Sequence, residues 1–368
     1  MDSVTIREAN FDDQPAVQSL CQRNGLEGER SIHAWNWIWK ENRFYTSSWT
    51  IGWVLESSGT VVGFIGNIPR AYSFRGKQWI ASVARAFVVD APFRMHTLKL
   101  IAAFFQQKET DLFIFSSANS EAESIYSLAR AERIPQLDYP KDFFWVVSPH
   151  SFTTSLLKKK GVGRLLSVLA SCLILPFLYL EMLIRRRWVN YSTSEVKMVQ
   201  TTELTDEMDE LWNKLQIENP DRLLSYRDRE AIVWQFSNDS AGTRKPVIFA
   251  LRRKKVLTGY IIVTRADSSE YDLKRMMITD LIVREDNPEA IKELINAAFF
   301  YAKQNKMDLL QVTGFPSTVR SALQSLHPFI HTLPYHPFWY YAVNPDLKDQ
   351  LQNESVWYAS TFDGDSTL

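Results

Sequence analysis

Apolar and polar positions along the chain predict one order of elements that occurs twice. Residues 4–9 (VTIREA) alternate with the two-residue period of a strand, and the acidic start of the next stretch predicts a helix ending near Cys21. A second helical stretch, three strands joined by tight turns, a helix at 92–108, a short strand, a helix at 120–131 and an aromatic strand follow. This order, β-α-α-β-β-β-α-β-α-β, predicts a mixed α/β sheet with a crossover helix after its fourth strand.

The second occurrence lies about 195 residues further along the chain. A period this long exceeds the roughly 20 to 50 residues of solenoid repeats, so it indicates a duplicated domain. The paired segments are 50–70 with 246–265, 87–115 with 281–312, and 143–149 with 337–345.

The repeat predicts an α/β (α+β) protein of two tandem mixed-sheet domains joined by a hydrophobic helical linker. We expect domains at 1–150 and 196–345, a basic and apolar linker at 151–195, and a solvated tail at 346–368. The length of 368 residues and the 45% hydrophobic content are sufficient for two cores.

The charge balance and the cysteine content narrow the class of protein. Lys+Arg and Asp+Glu number 42 each, so no basic excess indicates a nucleic-acid partner. Cys21 and Cys172 are too few for a disulfide framework, and the acidic first residues differ from a signal peptide. These features predict a protein of the reducing cytoplasm.

The segment that follows the fourth predicted strand, with the order of elements, resembles the GNAT superfamily of acyl-CoA-dependent acyltransferases. In that family, backbone N–H groups of this loop and of the next helix hold the pyrophosphate of CoA. Arg94 fits the first position of the family's loop motif, whereas Thr97 and Lys99 replace small residues. The resemblance implies acetyl-CoA or another acyl-CoA as co-substrate, bound by Val88, Val89, Arg94, Met95, His96 and Thr97.

A second string, at the start of the fourth predicted helix, strengthens the resemblance. Asn119, Ala122 and Tyr126 keep the family's spacing and fall on one helical face. By resemblance, Asn119 helps to hold the cofactor and Tyr126 protonates the departing thiolate, since a phenol stays protonated at neutral pH. The alternative for Tyr126 is a tyrosine packed in the core.

The second copy departs from this pattern. Its loop carries Glu285, Asp286 and Glu289 where a pyrophosphate would lie, so we expect acyl-CoA in the first copy only. Asp280, on the equivalent of the fourth strand, is a candidate catalytic base, and its alternative is a carboxylate satisfied by backbone donors. The histidines between 327 and 336 are separated by prolines, so no metal site is expected.

The predicted linker contains residues 165–184, an apolar stretch of the length that a bilayer-spanning helix needs. Basic residues flank both ends: Lys158–Lys160 and Arg164 before it, and Arg185–Arg187 after it. Such symmetry gives no positive-inside bias, and Pro176 and Glu181 lie within the stretch. Three alternatives stay open: soluble helices packed on the domains, peripheral membrane contact through 158–187, or a true span.

The leading functional hypothesis is an N-acyltransferase that moves an acyl group, expected to be acetyl, to a primary amine. The architecture favours a cell-envelope or polysaccharide precursor as acceptor, with the enzyme in the cytoplasm or peripheral at the inner membrane face. The alternatives are a non-catalytic binding protein with decayed cofactor sites and a Fem-like aminoacyltransferase. Fold analogy alone does not separate these.

Overall fold

The computed structural model describes residues 4–26, 31–185, 195–236 and 245–365, except for the side chains of Arg164 and Leu165. The described α-helices are α1 Gln14–Arg23, α2 Ile32–Lys40, α3 Thr97–Phe104, α4 Ser120–Leu128, α5 Pro149–Lys159, α6 Arg164–Ile184, α7 Glu207–Glu218, α8 Arg229–Phe236, α9 Pro288–Gln304, α10 Ser317–Gln324 and α11 Pro345–Lys348. The described strands are β1 Val4–Glu8, β2 Gly52–Ser57, β3 Thr60–Phe74, β4 Lys77–Val89, β5 Leu112–Phe115, β6 Glu132–Arg133, β7 Lys141–Val146, β8 Val196–Val199, β9 Leu224–Ser225, β10 Val247–Arg253, β11 Val256–Arg265, β12 Arg275–Val283, β13 Leu309–Val312, β14 Phe329–Thr332 and β15 Trp339–Ala342.

The described strands form two mixed sheets, which confirms the predicted fold class. The first sheet has the order β1-β2-β3-β4-β5-β15-β6, with β9 beside β3, and the second has the order β14-β7-β13-β12-β11-β10-β8. In each sheet one pair is parallel, β4 with β5 and β12 with β13, as a crossover through α3 or α9 requires. Read from β1 and from β8, the two orders match strand for strand.

The last strand of each copy lies in the sheet of the other copy. β15 pairs with β5 on one side, with Trp339 opposite Phe115, and with β6 on the other. β7 pairs with β13 and β14 in the second sheet. In each sheet, the strand order that the two sheets share is therefore completed by a strand from the other half of the chain.

The compact units consequently differ from the predicted boundaries of 1–150 and 196–345. Unit 1 consists of Met1–Leu137, Gln216–Ser240 and Pro334–Leu368, and unit 2 of Asp138–Leu215 and Ala241–Leu333. Besides β15, unit 1 takes α8 from the second copy, where Trp234 stacks on Trp37 with ring centroids 5.7 Å apart. Sequence repetition marks the duplicated segment but cannot show which sheet a terminal strand joins.

The predicted solvated tail is wrong for residues 346–365, which fold into unit 1. Leu347, Leu351, Trp357 and Phe362 are buried. Arg227 and Asp363 are both almost completely buried. Arg227 Nη2 lies 3.1 Å from Asp363 Oδ2, and this ion pair fixes the position of the tail at Asp363. Residues 366–368 lie outside the described residues.

The predicted linker forms α5 and α6, both in unit 2. The stretch Leu166–Ile184 of α6 has a mean hydropathy of 2.1 and is long and apolar enough to cross a membrane. Residues 186–194, with Arg186 and Arg187 of the predicted basic flank, lie outside the described residues.

Strand exchange predicts that residues 1–150 do not fold alone. In that fragment β5 and β6 lose the strand between them and β7 has no sheet to join, so unpaired backbone groups and apolar side chains become exposed. We expect the fragment to lack a cooperative unfolding transition by circular dichroism, whereas the full chain shows one. A cooperative transition and a dispersed amide spectrum for the isolated fragment would contradict the exchange.

Candidate functional site

In the first sheet the pairing of β4 with β5 ends at Val83 and Ile114, and we call the place where the two strands separate the opening. Their parallel pairing covers only residues 81–83 and 112–114, although β4 continues to Val89. A β-bulge then interrupts the β3–β4 ladder opposite Ile65, and Ala86 in the bulge has a φ of 50°. Bulges re-aim backbone groups away from the ladder, so this end of β4 can present backbone groups to the opening.

The end of the chain occupies part of this opening. Arg85 of β4 donates from its guanidinium to the backbone oxygen of Asp365 at 3.0 Å. Ser116, directly after β5, accepts from the Asp365 amide and donates to its carboxylate, each at 3.3 Å. Residues 363–365 thus bring a carboxylate to the diverging ends of β4 and β5.

Tyr126 lies on α4 beside the same opening and is 4% exposed. Its ring packs at 4.3 Å from Phe115, 6.1 Å from Phe87 and 6.2 Å from Trp339, measured between centroids. Burial, and then the negative charge of Asp365, raise the pKa of Tyr126 far above its ordinary value. The Tyr126 phenol is therefore held in its neutral form, close to the Asp365 carboxylate.

The predicted pyrophosphate loop follows β4 directly. Val88 and Val89 pair with Phe64 and Gly63, and a 3-10 helix at Ala91–His96 then leads into α3. Arg94 and Met95 are exposed, whereas the Thr97 hydroxyl donates to the Arg94 backbone oxygen at 2.7 Å. Thr97 is therefore committed to the protein, and Arg94 is the side chain of this loop that can reach a bound anion.

The structure brings this loop next to Asn119, as the sequence predicts for one site. Arg94 lies 3.7 Å from Glu121 of α4, two residues after Asn119. Asn119 itself caps α4, because its Oδ1 accepts from the Ala122 amide at 2.9 Å. Its visible role is to start the helix that carries Tyr126.

Comparisons with known proteins support the fold. No family model and no curated protein sequence matches the chain. A GCN5-related N-acetyltransferase from Anabaena variabilis shares 13% identity at a TM-score of 0.55, over 93% of this chain and 73% of that one. Saccharomyces cerevisiae N-myristoyltransferase with bound myristoyl-CoA and inhibitors shares 13% identity at a TM-score of 0.58, over 94% of this chain and 81% of that one. A probable N-acyltransferase from Enterococcus faecalis shares 8% identity at a TM-score of 0.56, over 94% of this chain and 73% of that one.

The chain has the GCN5-related N-acetyltransferase (GNAT) fold. Because these sequence identities are low, the likeness shows a shared architecture only. That architecture extends over nearly the whole chain. In GNAT terms, unit 1 carries the diverging fourth and fifth strands together with the predicted loop.

In the equivalent loop of unit 2, the loop's own side chains occupy the hydrogen-bond donors at the start of α9. Asn287 caps α9 by accepting from the Glu289 and Ala290 amides at 3.1 and 3.0 Å. Asp286, close by, accepts from the Thr318 hydroxyl at 2.5 Å. The helix N-terminus of unit 2 therefore has its donors occupied and is lined by carboxylates, whereas no described side chain caps α3 in unit 1.

Asp280, the predicted base, is fully buried in unit 2, and Tyr126 belongs to unit 1. The Tyr260 hydroxyl donates to Asp280 Oδ2 at 2.8 Å. Its carboxylate is bonded by a side-chain hydroxyl, whereas the alternative from the sequence was a carboxylate bonded by backbone donors, and we give Asp280 no part in the chemistry proposed below. Among the described residues, no three His, Cys, Asp or Glu side chains are placed to hold a metal ion.

Sequence reasoning missed three contributors to the candidate site of unit 1. Trp339 comes from an exchanged strand, Asp365 from a segment predicted to be solvated, and Ser116 from a strand end without a motif. The one available signal was the glycine of Asp363-Gly364-Asp365. A β-carbon added to Gly364 would lie 1.9 Å from Ser116 Oγ and 2.4 Å from its Cβ.

We expect Gly364→Ala to destabilise the protein by about 1–3 kcal/mol, because the added methyl group forces the tail away from Ser116. Ser116→Gly should remove most of this penalty in the double variant, which denaturant unfolding of the four proteins measures. Gly163→Ala is the control, since that glycine has φ −57° and no described atom within 4 Å of an added β-carbon. Additive effects at positions 116 and 364 would contradict the contact.

Proposed function

We propose that the protein is an acyl-CoA-dependent N-acyltransferase that uses the site of unit 1. The observation that carries the proposal is the juxtaposition of Tyr126, a phenol held in its protonated form, with the Asp365 carboxylate at the opening between β4 and β5. The GNAT fold and its acyltransferase neighbours support the class of reaction.

The loop before α3 suits the pyrophosphate of acyl-CoA on electrostatic grounds. Arg94, His96 and Lys99 supply positive charge at the start of α3, where the helix dipole also favours an anion. The nearest acidic residue of the loop, Asp90, is already paired with Arg23 at 2.6 Å. Since the corresponding loop of unit 2 is acidic and capped, we place a single acyl-CoA in unit 1.

The proposed reaction uses the two groups in complementary roles. The acceptor amine attacks the thioester carbonyl, and the proton that the new amide nitrogen loses passes to Asp365. Backbone N–H groups at the β4 bulge would stabilise the oxyanion of the tetrahedral intermediate. Its collapse breaks the carbon–sulfur bond, and Tyr126 donates its proton to the departing thiolate.

The substrate specificity is a finer part of the proposal. The donor is acetyl-CoA or a longer acyl-CoA, and the N-myristoyltransferase neighbour justifies testing long chains. The proposed acceptor is a primary amine on a cell-envelope or polysaccharide precursor. The enzyme would act on it in the cytoplasm, at the inner face of the membrane. A non-catalytic protein with a decayed site is the competing interpretation, because Tyr126 is nearly buried and Glu121 partly neutralises Arg94.

Isothermal calorimetry tests the donor site. We expect one acyl-CoA per chain, and we expect Arg94→Glu to weaken binding by about 10- to 100-fold, the range of a charged hydrogen bond. Arg284→Glu, in the loop of unit 2, is the matched control and should leave the affinity unchanged.

Two equivalent sites per chain, or equal losses in both variants, would exclude a single site in unit 1. Absence of binding by acetyl-CoA and by long acyl-CoAs to the unaltered protein would favour the decayed site.

The chemistry is tested at Tyr126. Tyr126→Phe should lower kcat by about 100- to 10,000-fold with little change in acyl-CoA affinity, since it removes a general acid but preserves the ring packing. Tyr341→Phe is the control, because its ring packs at 4.7 Å from Phe105 in the same core.

Asp365→Asn should lower kcat as well, and the double variant should be little worse than the slower single one if the two groups act in one proton transfer sequence. Turnover retained in Tyr126→Phe would return Tyr126 to a role in core packing alone.

A further inference from the structure

Helix α6 leaves many of its large apolar side chains exposed, which is unusual for a soluble protein. Its side chains that contact the protein include Ser167 and Ser171, both fully buried, and Met182. Its large apolar side chains instead face outward, with Leu173 75% and Phe177 73% exposed. The exposed apolar stripe consists of Leu166, Leu169, Leu173, Phe177, Leu180 and Ile184.

The exposed stripe is continuous along the helix. Its members recur at intervals of three or four residues, which places them on one side of α6 over its whole length. Only 17% of the stretch Leu166–Ile184 is buried. The stripe is therefore exposed, and an apolar face of this size indicates an interaction surface.

The packing of the opposite face shows that α6 is anchored rather than loosely attached. Ser171 lies 3.5 Å from the ring of His150 on α5, and Ser155 of α5 donates to the backbone oxygen of Asp272 at 3.2 Å. Lys158 pairs with Asp272 in the same loop of unit 2. The α5–α6 pair is therefore held through α5 to the loop that contains Asp272, and the apolar stripe is left outward.

The connectivity argues against a helix that crosses a bilayer. β7 leads into α5 and α6, and β8 follows α6 in the same sheet, so both ends of α6 return to unit 2. If α6 crossed, residues 185–195 would have to cross back. They are too few for a second spanning helix of about 20 residues, and they include three arginines in sequence.

The charges at both ends of α6 identify the partner. Lys159 and Lys160 lie before the helix and Arg185 after it, and Arg164, Arg186 and Arg187 extend both clusters in the sequence. A second copy of α6 would place basic clusters against basic clusters in either a parallel or an antiparallel pair. A surface of anionic lipid headgroups complements both ends at once, while the stripe enters the acyl boundary.

We propose that α6 docks on an anionic lipid leaflet, lying in the plane of the interface with its apolar stripe toward the acyl chains. This surface is independent of the acyl transfer proposed above, because vesicle binding requires neither acyl-CoA nor turnover. Docking would hold the enzyme where amphipathic acceptors or long-chain donors are concentrated.

Co-sedimentation of the full chain with vesicles tests the proposal. We expect binding to vesicles of phosphatidylcholine with phosphatidylglycerol, weak binding to phosphatidylcholine alone, and release by high salt or carbonate. Leu169→Glu/Leu173→Glu/Phe177→Glu should lower the affinity by more than about 100-fold, since it removes the buried apolar area. Lys159→Gln/Lys160→Gln/Arg185→Gln should lower it on the order of 100-fold, from about fivefold for each charge.

Leu137→Glu/Ile217→Glu is the matched control, because both side chains are 79% exposed and lie outside α6. It should bind vesicles like the unaltered protein. Equal loss in this control, or no binding by the unaltered protein, would overturn the proposal. A carbonate-resistant protein would show a span instead, and a vesicle-independent dimer that the α6 substitutions dissociate would show a second copy as partner.

Discussion

The insertion of β15 between β5 and β6 is the constraint on which the rest of unit 1 depends. Without it, β6 has no neighbour, β5 is paired on one side only, and the ring of Trp339 is missing from the cluster that holds Tyr126. The exchange also directs the following residues along unit 1. The buried pair of Arg227 with Asp363 and the close approach of Gly364 to Ser116 then fix where the chain end lies.

The candidate site therefore combines groups that are far apart in the sequence. Arg85, Ser116 and Tyr126 come from the first copy, whereas Asp365 arrives from the other end of the chain. The two groups at this opening differ in chemistry: Asp365 is a carboxylate, whereas burial and its nearby negative charge favour the neutral form of the Tyr126 phenol. This difference makes a division into proton acceptor and proton donor possible.

Local patterns predicted much of this fold. The order of elements, the crossover helices and the helical linker follow from hydrophobic periodicity and capping signals, which depend on neighbouring residues. The exchange of β7 and β15 could not be predicted, because both strands satisfy the same pattern in either sheet. The same reason hid the position of Asp365, whereas Arg94, Asn119 and Tyr126 could be proposed from the sequence because each lies in a local motif.

The two copies show how one architecture can give the same loop two different electrostatic environments. At α9, Asn287 occupies the first amides and the neighbouring carboxylates repel phosphate, so that loop is stabilised by its own sequence. At α3, Thr97 turns back onto the loop, Asp90 is neutralised by Arg23, and basic side chains remain exposed. A loop whose amides are bonded by its own side chains needs no ligand for stability. An uncapped loop with basic side chains keeps a positive electrostatic potential that attracts an anion. The electrostatic difference between the loops, more than the shared fold, is therefore the reason that we assign the proposed acyl-CoA binding to unit 1.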